Sequence, residues 1–120
     1  MEKFLTEHKE IDAVLSANDS MALGVLEALK AAKRTAIVIG INGILPAVKQ
    51  IETGGMLATV DFNMFKIGCT ATRAAVRHVR REPLPEKVML PAEVIDKTNY
   101  KAWLVPVDQR TCPEWSEIAR

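Results

Sequence analysis

Three short apolar runs in this chain end in asparagine, and that repetition constrains the fold more than any other feature. They are Ala13-Val14-Leu15-Ser16-Ala17-Asn18, Ala36-Ile37-Val38-Ile39-Gly40-Ile41-Asn42 and Met56-Leu57-Ala58-Thr59-Val60-Asp61-Phe62-Asn63. Each is followed by a helical pattern. The asparagines stand 24 and then 21 positions apart, room for a strand, a turn, a helix and a return loop. Runs that stay apolar without alternation belong to strands covered on both faces, as in parallel sheets. The expected fold class is therefore α/β, built of parallel-sheet βα units. Their strand ends would converge along one edge, where open α/β sheets bind ligands. A row of amide side chains at that edge suits a neutral ligand rich in hydroxyls.

Composition excludes several other functions. With 48% hydrophobic residues, 26% charged residues and a net charge of +1, the 120 residues have the balance of a globular domain. The chain lacks the excess positive charge that phosphate backbones demand, so no nucleic acid partner is expected. No apolar run approaches the roughly 18 to 20 residues of a membrane-spanning helix. The opening Met1-Glu2-Lys3-Phe4-Leu5-Thr6-Glu7-His8 has no secretory-signal character and enters a helical pattern at once, so Met1 is read as an internal residue of a longer protein or an internal start. His8 and His78 lack the paired spacing of a metal site. Gly40-Ile41-Asn42-Gly43 is not a phosphate loop, and no serine, cysteine or histidine stands in a nucleophile motif. Neither metal, cofactor nor catalytic residue is expected.

Along the chain, the first strand is expected at about 11 to 17, followed by a helix with Asp19 or Ser20 as cap and Met21, Val25, Leu26 and Leu29 inward. After a second strand opening at Thr35, Asn42-Gly43 turns the chain and Pro46 fits a first helical turn. Val48 and Ile51 face inward until Thr53-Gly54-Gly55 stops that helix. The third strand leads into the longest helical pattern, about 64 to 81, with Met64, Ile67, Ala71, Ala74, Ala75 and Val79 near one face. A fourth strand is expected from Val88 to Ile95, placed at an edge or a bend by Pro91. The tail, with Trp103, Pro106, Cys112, Pro113 and Trp115, reads as a segment pinned to a surface by a few large side chains.

The run Ala17-Asn18-Asp19-Ser20-Met21-Ala22-Leu23-Gly24, then Ile39-Gly40-Ile41-Asn42-Gly43, then Gly55-Met56-Leu57-Ala58-Thr59-Val60 resembles the C-terminal part of ribose-type periplasmic binding proteins. These are the solute receptors of sugar ABC transporters. The resemblance covers about residues 3 to 100 in order. It implies two α/β lobes joined by a hinge, with a sugar clamped between them and an ABC transporter permease as partner. On this reading the fold is incomplete: 1–63 is a portion of the C-terminal sugar-binding lobe, 64–90 a helix and linker belonging to the other lobe, and 91–120 the return strand and tail. The chain crosses between lobes near Phe62-Asn63 and again around Pro91. The implied location is periplasmic and the implied ligand a sugar or polyol.

By position, Asn18 matches an asparagine that hydrogen-bonds sugar hydroxyls. Asn42 stands where the family usually has an aspartate, and Phe62 where it often has glutamine. An amide at 42 lacks the charge that strengthens a hydrogen bond to about 1.5–3 kcal/mol. Phenylalanine at 62 replaces polar contacts with a flat apolar face. Asp61 could supply the missing acceptor if the strand were shifted by one residue. Asn63 is read as a structural turn residue.

Cys69 and Cys112 are either two buried thiols or, if the resemblance holds and the parent is periplasmic, a bridge tying the tail to the long helix. The alternative function is the effector domain of a sugar-responsive transcription repressor, which has the same fold. Such repressors carry longer loops than Lys33-Arg34-Thr35 and Gly54-Gly55-Met56. The long helix and fourth strand would expose apolar surface in this chain, so a homo-oligomer is expected.

Overall fold

The computed structural model describes residues 1–118; the last two positions of the expected 91–120 segment lie outside them. A short helix α1 (Glu2–Glu7) leads to β1 (Ala13–Leu15), α2 (Asp19–Ala31), β2 (Ile37–Ile41), α3 (Leu45–Thr53) and β3 (Ala58–Asp61). There follow α4 (Met64–Val79), β4 (Glu93–Asp96), two short 3-10 turns at Tyr100–Trp103 and Val107–Gln109, and α5 (Trp115–Ile118).

The strands form one sheet in the order β1-β2-β3-β4. β1 and β3 flank β2 in parallel, with Leu15 opposite Ile39 and Gly40 opposite Thr59. β4 joins β3 antiparallel, Thr59 facing Ile95 and Asp61 facing Glu93. The fourth strand is shorter than Val88–Ile95. Pro91 has no N–H to give to a ladder, so pairing begins only beyond it.

Local chemistry sets the helix ends, with one correction. The cap of α2 is Asn18, not Asp19 or Ser20: its backbone is extended (φ −156°) and its Oδ1 accepts from the Met21 amide at 2.9 Å. Asp19 instead becomes the first helical residue and is fully buried. The inward face of α2 is accordingly Ala22, Val25 and Leu29, while Met21 is exposed. Helix α3 takes Pro46 in its first turn and ends at Gly54, whose φ of +85° is left-handed.

Both long βα crossovers step in the same direction along the sheet, so crossovers of one hand place α2 and α3 side by side on one face. Ala22, Val25, Leu29, Ala47, Val48, Ile51 and Met56 pack there against Val38 and Ile95. The other face, carrying Leu15, Ile37, Ile39, Ile41, Val60 and Val94 by register, is open; Leu15 is 74% and Val94 58% exposed. The two-sided cover expected from the apolar runs is present on one side only.

Helix α4 leaves this body. Thr70 is its one buried residue among those described, and its apolar Met64, Ile67, Val76 and Val79 are exposed. The radius of gyration is 18.2 Å, against about 13–14 Å for a compact chain of this length, and the long axis is 60 Å. The molecule is thus a sheet body and a protruding α4 body. The tail returns to the latter, where Cys112 is bonded to Cys69 with a Cα–Cα distance of 5.7 Å.

Candidate functional site

The C-terminal ends of β1, β2 and β3 form a common rim, and a buried aspartate knits them together. Asp19, the first residue after β1 and its Asn18 turn, has no exposed surface. Its Oδ2 accepts from the Ile44 amide at 2.9 Å, beyond the end of β2. Its Oδ1 accepts from the Thr59 hydroxyl of β3 at 2.6 Å. The same hydroxyl oxygen accepts from the Gly43 amide at 3.4 Å. One carboxylate and one hydroxyl therefore fix the relative height of three strand ends.

Two glycines make room for this arrangement. A Cβ on Gly40 would lie 2.2 Å from Asp19 Oδ1, so β2 must lack a side chain where the carboxylate crosses it. At Gly43 the backbone is left-handed (φ +68°), and a Cβ there would meet Asp61 and Ile95 at 2.9 Å.

Around this brace sit the residues singled out from the sequence. Asn18 and Asn42 are both half-buried. Each uses its side-chain oxygen within the protein, Asn18 for the α2 cap and Asn42 to accept from the Asp19 amide at 3.4 Å. Among the described residues neither side-chain NH2 has a protein partner, so two amide donors stand unpaired at the rim. Asn42 holds a positive φ of 130°, and its own amide donates to Val60 O at 2.8 Å, which sets it beside the end of β3. Phe62 follows that end and is half-buried.

Asp61 is 7% exposed and both its oxygens are engaged: Oδ1 accepts from the Asn63 amide at 2.7 Å and Oδ2 from the Trp103 indole N–H at 2.9 Å. Its pairing with Glu93 puts it on the helix-covered side with Thr59, so the one-residue shift that would turn it to the rim is not present. Asn63 is buried, left-handed at φ +62°, and donates from Nδ2 to Pro91 O. It joins the chain leaving the sheet body to the chain returning.

The sequence offers Asp19 as a helix cap and Trp103 as an anchor of the tail, but not the bond of Asp19 to Thr59 nor that of the Trp103 indole to Asp61. The signals were a threonine inside an apolar strand and a glycine at the centre of another, both unnecessary for a strand that only packs. Among the described residues no cluster of histidine, cysteine, aspartate and glutamate could hold a metal, and no helix is long and apolar enough to cross a membrane.

The structure is thus an α/β body whose sheet carries two helices on one face and polar side chains at the ends of its three parallel strands, the edge at which open α/β sheets bind ligands. Residues 1–83 match the family described as periplasmic binding protein domain, and the chain belongs to that family. Among curated proteins it is similar to the ribose import binding protein of Haemophilus influenzae, 30% identical over 96 residues, covering 80% of this chain and 33% of that one. It is also similar to the D-allose-binding periplasmic protein of Escherichia coli, 40% identical over 74 residues, covering 60% of this chain and 24% of that one. Among solved structures, a periplasmic solute binding protein of Actinobacillus succinogenes with bound D-allose superposes with a TM-score of 0.79 at 27% identity, over 84% of this chain and 36% of that one. The Caulobacter myo-inositol binding protein bound to myo-inositol gives 0.74 at 33% identity, over 84% and 36%. The chain spans about a third of the length of the first of these curated relatives.

Proposed function

We propose that this chain is the C-terminal portion of the solute-binding component of an ABC transporter, that its ligand is a sugar or polyol, and that it is not an enzyme. The observation that carries this reading is the pair of half-buried amides, Asn18 and Asn42, with NH2 groups free at the joined ends of parallel strands. Similarity to receptors named for ribose and allose supports it, as does likeness to structures holding D-allose and myo-inositol. Those names also favour a receptor over a repressor effector domain. The same similarity supports a periplasmic location and a permease partner.

In this reading residues 1–63 supply one wall of the cleft, with Asn18 and Asn42 donating to hydroxyls and Phe62 stacking on a sugar face. Asp61 acts behind them, bracing the chain at Phe62 through Asn63 and Trp103. Residues 64–90 belong to the opposing lobe, and 91–120 are the return strand and a tail, which Cys112 fastens back to α4. The test is a titration followed by the side-chain amide signals of Asn18 and Asn42 in nuclear magnetic resonance. With D-allose, D-ribose or myo-inositol those signals should move together and saturate; Asn18→Ala and Asn42→Ala should each abolish the response. Signals that stay fixed while other residues respond would refute the site.

The open sheet face and the apolar stripe of α4 support self-association of this chain through a second copy. Sedimentation velocity should show a dimer or larger species, and a monomer at all concentrations would refute it.

A further inference from the structure

The backbone passes between the sheet body and the α4 body at residues 61–63 and at 91–93, and these two passages lie side by side. Asn63 donates to Pro91 O, and Lys66 Nζ lies 3.6 Å from the Glu93 carboxylate. Two adjacent backbone passages of this kind are the form a hinge takes between two bodies.

The tail makes a third passage, anchored at both ends. On the sheet body, Tyr100, Trp103 and Leu104 pack against the core, and the Trp103 indole holds Asp61. On the α4 body, Cys112 is bonded to Cys69, Arg73 donates to Pro113 O and lies 3.5 Å from Glu114, and the Arg77 guanidinium sits 5.0 Å from the centre of the Trp115 ring. The span between these anchors is folded. Val107–Gln109 form a 3-10 turn, while Arg110 donates from Nε to Val105 O at 3.1 Å and from Nη2 to Trp103 O at 3.3 Å.

We propose that residues 104–111 are a strap that limits rotation between the two bodies, with the Cys69–Cys112 bond as its fixed end and the Arg110 clasp as its reserve of length. Trp103 and Cys112 are nine positions apart, a reach of about 30 Å when fully extended. With the clasp closed the reach is shorter, so the bodies part only as far as opening the clasp allows. An oxidising compartment keeps the fixed end in place, and reduction frees it.

The test is a distance distribution between spin labels carried on non-cysteine amino acids at Lys30 of α2 and His78 of α4, both exposed, in the full chain. The intact chain should give one narrow distribution. Six glycine and serine residues inserted between Thr111 and Cys112 leave both clasp and disulfide in place but lengthen the strap; the distribution should broaden at least about twofold. Cys69→Ser with Cys112→Ser should broaden it as much, with circular dichroism reporting whether α4 stays helical. If the insertion leaves the distribution unchanged, the tail merely fastens itself to α4, and the strap is refuted whatever the serine variant does.

Discussion

The sheet body and the α4 body both carry apolar faces, to opposite effect. In the first, Val38, Val48, Ile51 and Ile95 are at most 1% exposed, held under two helices and fixed from above by Asp19 and Thr59. In the second, sixteen helical residues bury only Thr70, and the helix is held by a disulfide, an arginine pair and one tryptophan. Apolar periodicity shows that a helix has a face to bury; it does not show that the burying surface lies in the same chain. The first body has a core of its own, whereas the second depends on fastenings.

The contrast can be broken most forcefully at Asp19. Asp19→Ala leaves the Ile44 amide and the Thr59 hydroxyl buried without their acceptor. At about 1–3 kcal/mol for each orphaned group, denaturant unfolding should show a loss of roughly 2–6 kcal/mol. Next, Ile51→Ala should cost about 2–5 kcal/mol by opening a cavity in the sheet body, while Ile67→Ala on α4 should stay within about 0.5 kcal/mol. Equal losses at the two sites would end the distinction between the bodies.

Trp103→Phe keeps the aromatic ring but removes the indole bond to Asp61, with an expected loss of about 1.5–3 kcal/mol for a bond to a charged acceptor. Because Asp61 stands beside the passage between bodies, this substitution should also raise hydrogen exchange at Phe62 and Asn63. The smallest effect concerns the turn after β4. The Thr98 hydroxyl at 2.6 Å, and then its amide at 2.7 Å, hold the Asp96 carboxyl below its ordinary value of 3.8. A lowered folded pKa contributes stability that is present above 3.8 and lost as pH falls through the folded value. Asp96→Asn should remove that part of the acid dependence in unfolding curves while leaving the curves at neutral pH nearly parallel.

Much of the sheet body was legible in the sequence. Apolar runs with helical patterns between them implied parallel βα units, and Pro46 and Gly54 marked the ends of α3 because their backbone limits are local. That Asn18 and Asn42 stand at one rim was legible because the ends of parallel strands face one edge. Asp19 was misjudged as a cap, since an aspartate and an asparagine offer the same capping oxygen. The choice between them was made by Thr59, 40 positions away. The open sheet face was equally hidden, because a continuous apolar run shows that both faces of a strand need cover and not which surface supplies it.

The sequence by itself determined the order of elements, the parallel pairing of the first three strands and the polar residues at their ends, since these follow from periodicity and from the backbone limits of single residues. Only the tertiary structure decided which carboxylate lies buried at the rim, which sheet face stays bare, and that Cys112 reaches Cys69 across the body boundary. Those outcomes depend on groups far apart in the chain, whose meeting is fixed by shape and hydrogen-bond geometry in three dimensions and leaves no mark on local composition.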